Sequence, residues 1–243
     1  MAIILSIETS TNVCSVALSE HEKVLLSEIE YTANSHAALL TALIERMMKK
    51  AGMDMNVIDA VAVSSGPGSY TGLRIGVSTA KGICYALGKP LIAINSLRIL
   101  AQQAIIAKCE TLDYQDTLLC PMIDARRMEV YSTLFDSELN QIEDIRAEII
   151  DTSSYWSILE KRKIVFAGNG SGKCKDVIQH HNAVFQDDVY PLASAMAMPA
   201  YVAFTKNQFE DVAYFEPFYL KDFIVTVGKN KVFSIPSVSQ LSR

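Results

Sequence analysis

The chain has 243 residues, 50% hydrophobic and 20% charged, with 11 Gly, 7 Pro and a formal net charge of −5. That composition excludes collagen-like, disordered and disulfide-scaffold classes, and the length suits one large domain or two small ones around a substantial core. Net acidity argues against a protein that grips nucleic acid through an overall positive field of its own. The five cysteines, Cys14, Cys84, Cys109, Cys120 and Cys174, are odd in number, widely spaced and mostly in apolar stretches. They are expected to be buried, reduced thiols. The first residues carry no basic leader, and no apolar run approaches the ~18 residues of a membrane span, so a cytoplasmic protein without a membrane partner is expected.

Residues 3–7 form a near-continuous apolar run, as in a strand covered on both faces. Residues 13–18 alternate, a turn follows at 19–22, and a third strand is expected over 23–29. A helix is predicted over 35–51, with Lys49 and Lys50 in its last turn and Gly52 as its stop. A strand over 60–64 leads into Ser65-Gly66-Pro67-Gly68-Ser69-Tyr70-Thr71-Gly72 and a helix over 73–87 ending at Gly88. A strand over 91–94 then precedes a helix capped by Ser96 and running to 107.

The order begins again after Thr111. Strands are expected over 118–123, 129–135 and within 142–150, then a short helix from Ser153 and a strand over 164–167. A glycine loop, Gly168-Asn169-Gly170-Ser171-Gly172, precedes another helix. Both halves read strand, strand, strand, helix, strand, glycine loop, helix, and their first strands end alike at Ile7-Glu8 and Ile123-Asp124. The halves share a pattern and negligible identity. This is the order of the actin-like and sugar-kinase ATPase fold, an α/β architecture of two related subdomains, each a mixed sheet flanked by helices. The expected boundaries are 1–108 and 109–212, with 213–243 as a tail packing back on the first subdomain.

In ATPases of this fold, two such halves enclose a nucleotide, and strand C-termini and helix N-termini favour its phosphates. Glu8, Thr9 and Ser10, with Gly66 and Gly68, occupy the matching positions. The segment 8–12 has no glycine, so any phosphate site is degenerate, and capping by Thr9 and Ser10 is the competing reading. The loop 66–72 can equally be a phosphate cradle or a tight turn. A Walker A reading of 168–174 fails, because Ala167 stands at the first glycine and Cys174 at the metal-binding hydroxyl. Among His21, His36, His180 and His181, no i, i+4 pair clamps a metal, since Leu40 follows His36. His180 and His181 are expected to diverge on a solvated helix. No G-x-S-x-G elbow occurs. No catalytic residue and no metal ligand is assigned.

The helices are apolar on more than one side. Leu40, Leu43, Ile44 and Met47 share an arc, while Ala38, Leu39 and Ala42 lie outside it. Gly72, Gly76, Ala80 and Cys84 form an i, i+4 row of small residues. Either the row packs on the chain's own sheet, or it lets a helix of another subunit approach closely.

These residues together resemble the TsaB (YeaZ) family, the dimerisation subunit of the bacterial machinery that makes threonylcarbamoyladenosine in tRNA. The resemblance rests on Ile7-Glu8-Thr9-Ser10, Ser35-His36 with Leu39-Leu40, and above all the stretch from Ser65 to Gly76, whose glycine-rich core continues into Leu73-Arg74-Ile75. Asp124-Ala125-Arg126-Arg127 with Glu129-Val130-Tyr131, and Tyr219-Leu220-Lys221, also fit. It implies a non-catalytic subunit that binds the catalytic subunit TsaD through the two N-terminal helices, or pairs with itself when TsaD is absent. The interface so implied contains Ser35, His36, Leu39, Leu40, Leu43 and Met47 on one helix. Gly72, Arg74, Gly76, Val77, Ala80 and Cys84 supply it on the other. A nucleotide, ATP or ADP, would lie near that junction when the ATPase TsaE joins, and tRNA would be met only through the complex. Two residues depart from the pattern: Glu8 replaces the usual Asp, and Lys221 replaces a common Arg, a point charge in place of a bidentate fork. The alternatives are an active small-molecule kinase or ATPase of the same fold and, less favoured, a glycoprotease-type peptidase.

Overall fold

The computed structural model describes residues 2–31, 36–107 and 116–221. Within them the chain builds two five-stranded sheets. The first comprises β1 (Ile3–Glu8), β2 (Cys14–Glu20), β3 (Lys23–Glu30), β4 (Ala60–Gly66) and β5 (Leu91–Asn95), in the order β3-β2-β1-β4-β5. β1 to β3 run antiparallel to their neighbours, while β4 and β5 continue the sheet in parallel from β1. The second comprises β6 (Thr117–Asp124), β7 (Glu129–Ser132), β8 (Arg146–Ile149), β9 (Lys163–Ala167) and β10 (Ala183–Gln186). Its order, β8-β7-β6-β9-β10, repeats the first in both sequence and strand direction. The expected actin-like duplication is therefore present.

On one face of the first sheet lie α1 (His36–Ala51) and α2 (Tyr70–Leu87). Leu40, Leu43 and Met47 of α1, with Val77, Ala80 and Cys84 of α2, close over Leu5, Ile7, Val16 and Val63. α2 begins where Ser69 Oγ accepts the Gly72 amide at 3.2 Å and ends at Gly88, whose left-handed φ of 63° lets its amide reach Cys84 O. α3 (Ser96–Ile106) follows β5, and its cap is Asn95: Oδ1 accepts the amides of Leu97 and Arg98 at 2.9 and 3.2 Å. Ser96, the expected cap, is the first helical residue, and its hydroxyl instead accepts the Gly66 amide at 3.1 Å. Leu97 and Leu100 of α3 pack with Leu119, Ile123 and Val165 of the second sheet, joining the halves.

Two features of the second half differ from expectation. The short helix starts later, as α4 (Trp156–Leu159), because Asp151 draws the Ser153 amide into a turn at 2.9 Å. After the glycine loop there is a 3₁₀ turn, Gly172–Cys174, followed by β10, and no helix. Only Val177 and Ile178 interrupt the polar run from Lys175 to Asn182, too little apolar surface to seat a helix on the sheet. His180 and His181 accordingly do not diverge on a helix; their rings stack at 4.3 Å in a loop.

The chain returns to its first half earlier than residue 213. A 3₁₀ turn, Ala193–Met196, and α5 (Ala197–Thr205) cover the second face of the first sheet, with Met196, Ala200 and Ala203 against Ile4, Ala62 and Ile92. The buried Ser15 hydroxyl fixes the entry by accepting the Ala193 amide at 2.9 Å. Glu210 then pairs with Leu91 at the sheet edge. Among the described residues, no helix is long and apolar enough to cross a membrane.

Candidate functional site

Where β1 ends, the structure sets Ser10 against Gly68 and Thr9 against Gly72 and Gly76, while Gly66 lies against Phe218 O and its amide donates to Ser96. These contacts close the space between the two segments. Glu8, Thr9 and Ser10 are fully buried. The Ser69 amide donates to Ser10 O at 2.6 Å, and the Ser10 amide donates to Glu8 Oε1 at 2.5 Å. A Cβ on Gly68 or Gly72 would fall closer than 3.0 Å to the carbonyl of Ser10 or Thr9, and one on Gly76 equally close to Thr9 Oγ1. The glycines thus make room for the chain's own backbone, not for a ligand. A phosphate group does not fit this cradle.

Burial pushes the Glu8 carboxyl up to about 7, against the opposing pull of the Ser10 and Ser64 groups around it. Among the described residues, its Oε2 and the Thr9 hydroxyl find no hydrogen-bond partner. Asp124, the corresponding acid of the second half, is solvent-exposed and ion-paired with Lys173, which also donates to Glu129 O at 2.7 Å. The lysine of the rejected Walker-like loop therefore serves a carboxylate, while Cys174 is buried with its thiol on Gly170 O. The two acids therefore stand in opposite settings, one buried and one exposed. His36 is buried, and its Nε2–H donates to Thr11 O at 2.9 Å. Among the described residues, no group of three His, Cys, Asp or Glu could hold a metal ion.

The residues expected at a helical interface need correction. Leu40, Leu43 and Met47 point from α1 into the first core, as do Val77, Ala80 and Cys84 from α2, and His36 is buried on Thr11 O. Gly72 and Gly76 are buried against Thr9. The sheet needs a cover on this face, and the two helices together supply it, so the small-residue row packs on the chain's own sheet. Ser35 lies outside the described residues. Of the named set, Leu39 is half-buried and Arg74 exposed, its guanidinium donating to Tyr70 OH at 3.1 Å. The outward faces carry Ala37, Ala38 and Ala42 on α1, and Gly82 and Tyr85 on α2, with Ile75 and Ile83 half-buried between. Only Ala38, Leu39 and Ala42, outside the apolar arc, signalled this second face in the sequence.

The tail expected to pack back on the first subdomain is described as far as residue 221. Residues 211–221 run as a strap over α2 and the glycine loop. Lys81 Nζ holds it by the carbonyls of Ala213 and Phe215, each at 3.0 Å, and the Phe218 amide donates to Ser65 O at 2.7 Å. Tyr219 packs on Tyr70 with ring centroids 4.7 Å apart, and Lys221 pairs with Glu129 of the second half.

Residues 23–227 match the family model of TsaD, tRNA N6-adenosine threonylcarbamoyltransferase. The chain is 27% identical over 233 residues to the tRNA threonylcarbamoyladenosine biosynthesis protein TsaB of Escherichia coli, covering 90% of this chain and 94% of that protein. The Bacillus subtilis TsaB is 28% identical over 179 residues, 72% of this chain and 75% of its own length. Part of the chain, 62%, also matches the tRNA N6-adenosine threonylcarbamoyltransferase of Erythrobacter litoralis at 31% identity, across 51% of that enzyme. The solved structure of YeaZ from Pseudomonas aeruginosa superposes with a TM-score of 0.78 at 27% identity, covering 90% of this chain and all of that one. With the duplicated sheets and the closed glycine loop in place, these similarities agree: the chain belongs to the TsaD family, in its TsaB (YeaZ) branch, and so to the proteins of tRNA threonylcarbamoyladenosine biosynthesis.

Proposed function

We propose that the chain is a non-catalytic partner subunit that binds and stabilises a TsaD-like catalytic subunit for threonylcarbamoylation of adenosine in tRNA. The observation that carries this reading is the closed cradle. Phosphate chemistry in this fold needs backbone amides and a carboxylate open to the ligand. Here the carboxylate is buried, and the carbonyls of Thr9 and Ser10 fill the glycine cavities. The outward alanines of α1 and the exposed Gly82 and Tyr85 of α2 supply a low-relief apolar face for a helical partner. The same face would serve a second copy of the chain when the catalytic subunit is absent. A TsaE-like ATPase would join the assembled pair, and any ATP or ADP would lie at that junction and not in this chain's own glycine loop.

Light scattering on gel-filtered protein, alone and mixed with the catalytic paralogue of the same organism, tests the reading. A shift from self-associated chain to a 1:1 complex is expected, with negligible ATP turnover by the chain alone. No association at micromolar concentration, or sustained turnover that Glu8→Ala abolishes, would sink it.

A further inference from the structure

At the open end of the second sheet, the turn between β6 and β7 places two consecutive non-glycine residues in the left-handed region, Arg126 at φ 74° and Arg127 at φ 52°. L side chains rarely adopt that backbone, and such positions cluster where a protein has a use for them. Asp124 sustains the turn by accepting the Arg126 amide at 3.1 Å, and the Glu129 amide closes it on Arg126 O at 3.1 Å. Both arginine side chains are exposed. The nearby carboxylates are already engaged, Asp124 by Lys173 and Glu129 by Lys221. No ion pair among the described residues takes either arginine, so two full positive charges face solvent in a chain whose net charge is −5.

The surroundings extend this charge in one direction. Lys221 reaches the turn through its pair with Glu129, whose amide closes on Arg126 O, and the Tyr131 phenol beside them is raised by burial, lowered by Lys221, raised by Glu129 and lowered by Arg126. Two residues before Lys221, Tyr219 packs on Tyr70, and the Arg74 guanidinium lies 5.4 Å from the Tyr70 ring centre. A line of cations interleaved with aromatic rings therefore runs from the start of α2, along the strap, to the β6–β7 turn. Glu216, near Tyr219, and Asp211, at the far end of the strap, are exposed acids that no lysine engages among the described residues. Alternating cations and ring faces is the composition that takes a polynucleotide, the cations on phosphates and the rings on bases. A compact nucleotide would need a concave pocket, whereas this line crosses a surface.

We propose that the Arg126–Arg127 turn, continued by Lys221 and the Tyr70–Tyr219 pair, is a contact site for an RNA strand within the modification complex. This rests on the partner-subunit reading for its physiological RNA, although the site itself belongs to this chain alone. It adds a direct contact where the overall acidity pointed only to contact through partners.

The test is fluorescence anisotropy of the full chain, alone and in its complex with the catalytic paralogue, using a labelled anticodon stem-loop RNA across a salt series. Arg126→Asn with Arg127→Asn is the primary variant, because asparagine tolerates left-handed backbone and should keep the turn folded. A loss of tenfold or more is expected, with the slope of log K against log salt reduced by about 1.5, as for two lost phosphate contacts. Lys221→Gln, on the strap and not on the turn, should lose several-fold by unmasking Glu129. Unchanged affinity in the double variant would overturn the proposal. So would no binding by the parent in either state, or displacement of the RNA by ATP at matched phosphate concentration. If the complex forms but the variants bind RNA as the parent does, this site fails and the partner reading stands. RNA binding that depends on the arginines, without complex formation, gives the reverse.

Discussion

Glu8 sits at the end of β1 with no surface of its own, and burial lifts its carboxyl from 4.5 to about 7. A raised acid is bound more tightly to its proton in the folded state. Its contribution to stability is therefore complete below pH 4.5, declines as pH rises toward 7, and is gone above it. The shift corresponds to roughly 3 kcal/mol across that window. Urea titrations at pH 5 and pH 8 should show the parent losing stability on that scale, and Glu8→Gln should remove most of the difference. A parent whose stability is flat across the window would mean the carboxyl is solvated after all. Burial likewise raises the thiols, Cys14 to about 12 and Cys84 and Cys174 to about 11, with Cys120 also raised. Because the thiolate is the reactive form, a disulfide reagent at pH 7.5 should label none of these four thiols quickly in the native chain and all four after denaturation; Cys109 lies outside the described residues. Fast labelling of any of the four would contradict the burial.

At the scale of elements, two of the three glycines of α2, Gly76 and Gly82, are equal in helix propensity and set apart by the structure. A Cβ on Gly76 would meet Thr9 Oγ1, while one on Gly82 would meet nothing within 4 Å. Helix propensity favours alanine at both by about 1 kcal/mol. Gly82→Ala should therefore gain about 0.5–1 kcal/mol, whereas Gly76→Ala should lose about 1–3 kcal/mol to overpacking against β1. Melting curves of the two variants, displaced in opposite directions, are the check. Strands β1 to β9 and α1 to α3 were legible because alternation, apolar runs and glycine stops agree in each, whereas β10, with half-buried residues throughout, was not. α5 was not, since Ala197–Thr205 is apolar all round and offers no stripe. The glycine loop was legible as a turn into a helix, but its two uses differ only in what fills the space opposite Gly68 and Gly72. That depends on backbone from β1, which spacing along the chain does not reveal. The interface residues that the sheet covers were indistinguishable in sequence from ones a partner covers, because an apolar arc and a small-residue row look the same in both cases, while Leu39 and Arg74 keep exposed surface.

For the whole molecule, the consequence is that the test of assembly moves from the buried side of α1 and α2 to the exposed one. Ala80, a natural position for blocking a helical partner when read from sequence, has no exposed surface and lies among Leu5, Val63 and Val77. Ala80→Phe would overpack the core and unfold the chain before it reported on association. Ala42, exposed on α1, and Tyr85, 87% exposed on α2, can be changed without touching that core. Surface substitutions of this kind normally stay within about 0.5 kcal/mol of the parent in stability. If the outward faces of both helices meet the catalytic subunit, Ala42→Arg should weaken the complex tenfold or more by burying a charge. Tyr85→Ala should do the same by removing an aromatic anchor, about 1.4 kcal/mol in each case. Sedimentation velocity on mixtures with the catalytic paralogue, beside thermal melts of each variant, separates the two effects. Complexes that tolerate both substitutions while Ala80→Phe destroys the fold would place the partner on another face, leaving the small-residue row a purely internal device.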